Sequence, residues 1–142
     1  MLRAGREQLT FEAAIAQEPE RLRGQAERIL ADEGYDSVNH QCYSYLARGV
    51  YVDQLRTWLS YFPREQMLIL KSEDLYAHPS LAIKQVLAFL DLPEWEPSEY
   101  KTYHAQPYAK MEAATRALLV DYFAPFNQQL YALLGRDFGW DV

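Results

Sequence analysis

The chain has 142 residues, 49% of them hydrophobic and 24% charged, enough for one modest globular domain with a single core and hardly for two. Fourteen Lys and Arg against twenty Asp and Glu leave a net charge of −6 and a pI near 5.0. That balance excludes broad attraction to nucleic acid or an anionic membrane, so an anionic ligand has to be held locally. The single cysteine, Cys42, excludes an internal disulfide framework and a multi-cysteine zinc site, and fits a reducing, cytoplasmic setting.

Residues 1–8 carry two arginines and no apolar run, which does not match a secretory signal. Thr10 before Phe11, Ala14 and Ile15, with Glu12 in the first turn, predicts a short helix over residues 11–17. Pro19 then stops that helix or opens the next, in which Leu22, Ala26, Ile29 and Leu30 recur at helical spacing to Ala31, with Gly34 as the end signal. Residues 35–45 follow neither period and mix Asp36, Ser37, Asn39, His40, Gln41 and Ser44 with tyrosines, the composition of an ordered polar loop that can carry function.

Leu55, Trp58, Leu59 and Phe62 repeat at i, i+3, i+4 and i+7, an amphipathic helix over residues 50–61 that Pro63 terminates. Met67, Leu68, Ile69 and Leu70 form a continuous apolar run, too short for a helix and suited to a parallel strand buried on both faces. Lys71 to Asp74 brings the chain to the surface. Pro79 and Ser80 then start a helix carrying Ile83, Val86, Leu87 and Leu90. Pro93 and Pro97 bracket an irregular connection through Tyr100, Tyr103 and Tyr108. Two closing helices are expected, one with Met111, Thr115, Leu118, Leu119 and Tyr122, the other opening near Pro125 with Phe126, Leu130, Leu133 and Leu134 before Gly135. The aromatic tail from Arg136 tucks against the body. The longest aliphatic runs, residues 67–70 and 117–120, fall far short of the roughly 20 residues of a membrane helix, so the chain reads as soluble.

One buried strand needs neighbours on both sides for its N–H and C=O groups. Leaving such groups buried and unpaired costs on the order of 1 to 3 kcal/mol each, against a total stability of roughly 5 to 15 kcal/mol for a domain. The sequence therefore reads as part of an α/β domain whose other strands lie elsewhere.

Candidate chemistry is sparse. The six glycines are scattered at 5, 24, 34, 49, 135 and 139, with no GxxxxGKS/T or GxGxxG phosphate loop. His40, His78 and His104 lack ligand spacing, so no metal site is expected. Cys42 near His40 on a loop reads as a buried inert thiol rather than an activated pair. Glu73 and Asp74 follow a strand end, where α/β folds put ligands, but adjacent acids also simply solubilise a turn. Tyr43, Tyr45 and Arg48 either line a substrate cleft or pack a helix start with their hydroxyls wet. Residues 100–111 combine tyrosines with Lys101 and Lys110, a pattern suited to stacking a base and meeting phosphate.

Two stretches carry a family resemblance. Tyr45-Leu46-Ala47-Arg48-Gly49-Val50-Tyr51-Val52-Asp53-Gln54-Leu55 through Trp58-Leu59, Phe62-Pro63-Arg64-Glu65-Gln66-Met67-Leu68-Ile69-Leu70 and Ser72-Glu73-Asp74-Leu75 resemble the C-terminal half of sulfotransferases related to the heparan-sulfate enzymes. Tyr122-Phe123-Ala124-Pro125-Phe126-Asn127-Gln128-Gln129-Leu130-Tyr131, with Leu134-Gly135-Arg136-Asp137-Phe138-Gly139-Trp140-Asp141, is similar to the closing helix and tail of that family, above all its bacterial members.

The resemblance implies an α/β, P-loop-like sulfotransferase fold. Residues 1–142 would be the C-terminal part of one such domain, mostly helical with a single buried parallel strand. It implies transfer of a sulfuryl group from 3'-phosphoadenosine 5'-phosphosulfate to a hydroxyl or amine. In the family, the phosphosulfate loop, the catalytic base and the residues gripping the 3'-phosphate precede the matched region, so no catalytic residue is expected here and the chain is expected to be inactive alone. The family's nucleotide-covering loop matches Tyr103 to Met111. Tyr103 (stacking) and Gln106 and Tyr108 (hydrogen bonding) are the cofactor-side candidates, although His104-Ala105-Gln106-Pro107 lacks the cations that eukaryotic relatives place there. Tyr43, Tyr45 and Arg48 remain the acceptor-side candidates. A polypeptide supplying the N-terminal half is the implied partner. The alternative is a non-catalytic helical remnant or interaction module that pairs its strand with another protein.

Overall fold

The computed structural model describes residues 7–101 and 110–140, and these are mostly helical. They divide into two compact units, one holding the described residues up to Gln54 and from Glu112 onward, the other Leu55–Met111.

In the first unit, helix α1 (Phe11–Leu22) starts where the Thr10 hydroxyl accepts the Ala13 N–H at 3.3 Å and Glu12 complements the dipole, burying Ala14, Ile15 and Glu18 on one side. Pro19 neither stops α1 nor starts a new helix: it lies inside. Buried Ile15 before it and buried Glu18 beside it hold the turn that the missing N–H would otherwise loosen. Gly24, at φ +69, turns the chain into α2 (Gln25–Ala31).

Residues 35–45, expected as a loop, contain helix α3 (Val38–Tyr43). Its short polar residues work as end caps: the Ser37 hydroxyl accepts the His40 N–H at 3.0 Å, and the Ser44 hydroxyl donates to the His40 carbonyl at 2.5 Å. α3 packs on α1 and α2, and Cys42 is buried. A 3₁₀ turn over Ala47–Gly49 leads into α4 (Tyr51–Tyr61), where Val52 is wholly buried.

The two closing helices expected on either side of Pro125 are one, α7 (Ala113–Leu134). Rings bridge the break that proline makes in the ladder, Tyr122 lying 5.6 Å from Phe126 and 5.0 Å from Phe123. Gly135, at φ +65, ends α7, with the Arg136 N–H on the Tyr131 carbonyl at 3.2 Å. The tail folds back as expected. Phe138 is buried and stacks on Trp140 at 4.9 Å, and the Trp140 N–H donates to the Tyr131 hydroxyl at 3.1 Å.

The second unit takes in the later part of α4, a 3₁₀ turn over Arg64–Gln66, α5 (Ser72–Ala77) and α6 (Pro79–Phe89), the last two packed on each other. Pro79 sits in the first turn of α6, where its missing N–H costs nothing. The single buried parallel strand expected at residues 67–70 is corrected. The stretch is extended at Met67, but no strand exists among the described residues, and Leu68 is exposed. A strand requires a paired neighbour, and none is present.

Candidate functional site

The densest polar cluster lies in the first unit and centres on Glu7, a buried residue just ahead of α1. Its carboxylate accepts from Arg21 Nη1 at 2.5 Å and Nη2 at 3.3 Å, from the Tyr45 hydroxyl at 2.6 Å, and from the Gln8 and Leu9 N–H groups at 3.0 Å each. The Arg21 guanidinium also lies over the Tyr43 ring, 4.3 Å from its centroid.

These contacts set the protonation states. Hydrogen bonds from Arg21 and then Tyr45 pull the Glu7 carboxyl down to about 2. Its partnership with Glu7 holds Arg21 above the ordinary arginine value. Burial, followed by the bond to Glu7, pushes the Tyr45 phenol up to about 12. Near neutrality Glu7 is a carboxylate and Tyr45 a phenol, each far from the pKa a general base or acid needs. The cluster therefore fixes geometry and does not exchange protons.

A second carboxylate pins the next segment. Buried Glu18 accepts the N–H groups of Leu46 and Ala47 at 2.6 and 2.8 Å, capping the 3₁₀ turn with an acceptor from α1. Burial, with a smaller push from Glu18, raises the Tyr122 phenol. Gly49, next in the turn, faces the Phe123 ring so closely that an added Cβ would lie 2.6 Å from a ring carbon. The Glu12 carboxylate accepts the Thr115 hydroxyl at 3.0 Å, joining the starts of α1 and α7.

Of the acceptor-side candidates, Tyr43 and Tyr45 come together on Arg21 and Glu7, while Arg48 is exposed and donates to the Gln41 carbonyl. The cofactor-side candidates Tyr103, Gln106 and Tyr108 lie outside the described residues. Glu7, Arg21 and Glu18 escaped sequence reasoning. Glu7 pairs 14 and 38 positions away, and no short-range spacing announces such a contact.

A phosphosulfate donor needs several cations and N–H groups converging on one spot. Six of the described arginines are engaged elsewhere: Arg21 on Glu7, Arg23 on Glu20, Arg28 on the Tyr35 ring, Arg48 on Gln41, Arg64 on the Met67 carbonyl and Arg136 over the Phe138 ring. The described residues do not fit the donor, and no step through it follows from them.

Comparison with known proteins places this geometry. The family model "Sulfotransferase domain" matches residues 9–122. A membrane-associated sulfotransferase, kil1 of Dictyostelium discoideum, is 34% identical over 101 residues, covering 71% of this chain and 21% of that protein. Heparan sulfate glucosamine 3-O-sulfotransferase 3B1 of Mus musculus is 28% identical over 117 residues, covering 66% and 30%. The crystal structure of a sulfotransferase from Alicyclobacillus acidocaldarius superposes with a TM-score of 0.69 at 27% identity, covering 99% of this chain and 49% of that one. The chain thus spans about half of that solved protein and under a third of these two relatives. Among the described residues no helix is long and apolar enough to cross a membrane.

Proposed function

This chain belongs to the sulfotransferase domain family, and from that premise we propose that it provides acceptor-side and nucleotide-covering surfaces for sulfuryl transfer. The donor is 3'-phosphoadenosine 5'-phosphosulfate and the acceptor a hydroxyl or amine. The observation that carries this reading is the family match over residues 9–122. The Glu7–Arg21–Tyr45 cluster positions α3 and the following turn, so that Tyr43 and Arg48 border the acceptor, with Tyr45 acting through Glu7. Residues 103–108 cover the nucleotide through Tyr103, Gln106 and Tyr108. The chain does not complete turnover alone, because its sequence has no phosphate loop and Arg21, Arg23 and Arg48 among its described cations are engaged elsewhere. We assign it to the cytoplasm, a compartment suited to a chain with one cysteine.

The test is transfer of labelled sulfuryl from the donor to a panel of hydroxyl- and amine-bearing acceptors. The purified chain alone is expected to give no turnover. Mixed with the part of the A. acidocaldarius sulfotransferase outside the matched region, it is expected to give turnover above that part alone. Turnover by the chain alone overturns the dependence on further sequence, and none in the mixture overturns the contribution to transfer.

A further inference from the structure

The 3₁₀ turn over Ala47–Gly49 is three residues long, yet four helices hold it through residues of the first unit. From α1, the buried Glu18 carboxylate accepts the Leu46 and Ala47 N–H groups at 2.6 and 2.8 Å. From α7, the Phe123 ring fills the space where a Cβ on Gly49 would stand, with two ring carbons 2.6 and 2.7 Å from that point. From α4, the Gln54 side chain donates to the Arg48 carbonyl at 3.1 Å. From α3, the Gln41 carbonyl accepts from the Arg48 guanidinium.

This is more than a surface turn needs. Water satisfies the free N–H groups of an exposed turn, whereas a carboxylate is costly to bury and needs charge-assisted bonds to offset that cost. What the turn presents is Arg48. Exposed Arg23 pairs with Glu20, but Arg48, also exposed, has no carboxylate partner among the described residues. With its backbone fixed before and after it and one N–H anchored, its remaining donors keep a set direction. Such a group meets a ligand without first losing its own freedom.

We propose that Glu18 and Phe123 are positioning residues, which clamp the Ala47–Gly49 turn so that the Arg48 guanidinium stands ready for the acceptor. Neither touches the acceptor, and both act through Arg48. The inference rests on the reading that Arg48 borders the acceptor, and it adds the two side chains that set where this arginine lies.

The first test needs no transfer. In nitrogen-resolved NMR of the purified chain, a guanidinium held on the Gln41 carbonyl gives separate Nη–H signals for Arg48, and a released one gives averaged signals. Wild type is expected to show them separate. Glu18→Gln keeps the size but sets an amide donor against one of the two N–H groups, and is expected to average them. Gly49→Ala drives a methyl into the Phe123 ring and is expected to do the same, with Phe123→Leu in that background restoring the separate signals. The second test is transfer in the mixture described above, with the panel acceptor turned over fastest. E18Q is expected to raise the acceptor KM about tenfold with kcat and the donor KM unchanged, and to add nothing once Arg48→Ala is present. Averaged signals in wild type, separate signals that persist in E18Q and G49A, or E18Q and R48A effects on KM that multiply would each overturn the proposal. If E18Q fails to fold, G49A and its rescue by F123L decide. Absence of transfer in the wild-type mixture discards the acceptor reading, while the Arg48 signals still decide the clamp.

Discussion

Glu7 is buried and still ionised because five donors converge on its two oxygens. Its carboxyl titrates near 2 in the folded chain against 4.5 ordinarily, so the folded state favours the charged form. That contribution is complete above pH 4.5 and disappears as the pH falls toward 2. Tyr45 is the mirror case: its phenol is raised from 10 to about 12, so its contribution is complete below pH 10 and lost as the pH rises through 12. Thermal melts of wild type and Glu7→Gln from pH 7 to pH 2 should show the variant less stable at neutrality and the gap closing as the acid limit is approached. A gap that stays constant with pH would show that Glu7 acts by packing and not by charge. The sequence made Tyr43 and Tyr45 visible, since aromatic residues at a helix start stand out, but their partners are tertiary contacts that no local spacing encodes.

Helix ends in this chain were easier to read than helix continuity. Thr10 and Pro79 announce starts, and both mark real ones. Pro19 and Pro125 signal breaks in the sequence yet lie inside helices, because buried neighbours and aromatic pairs hold the turns around them. Two ends use the same left-handed residue with different chemistry. α7 closes on Gly135 at φ +65, and α6 closes through Asp91 at φ +53, with the Leu92 N–H on the Leu87 carbonyl at 2.9 Å. Glycine takes this conformation freely and aspartate does not. Gly135→Ala should therefore destabilise the chain by about 1 kcal/mol, while Asp91→Gly should leave its stability equal or higher. Denaturant melts that rank the two substitutions the other way would refute this account of the caps. The strand expected at residues 67–70 fails for another reason: its apolar run is legible in four residues, but a strand also needs a pairing partner, which a single segment cannot reveal.

Across the whole chain the apolar interior is unequally shared. Seven of the eight buried hydrophobic side chains among the described residues, Ala14, Ile15, Cys42, Val50, Val52, Leu130 and Phe138, belong to the first unit and only Ala82 to the second. Family membership was legible because the motifs lie in continuous stretches of sequence. The imbalance was legible only indirectly, as one apolar strand with no neighbours. A sulfotransferase-domain chain built this way has one unit rich in buried apolar contacts and one with few among the described residues. Opening free energies should differ accordingly, since a segment with few buried apolar contacts opens locally at low cost. Amide hydrogen exchange of the purified chain, resolved by segment, tests this most directly. The prediction is strong protection in α1 and α7 with near-unprotected exchange in α5 and α6. Protection of α5 and α6 equal to that of α1 and α7 in the chain alone would contradict it.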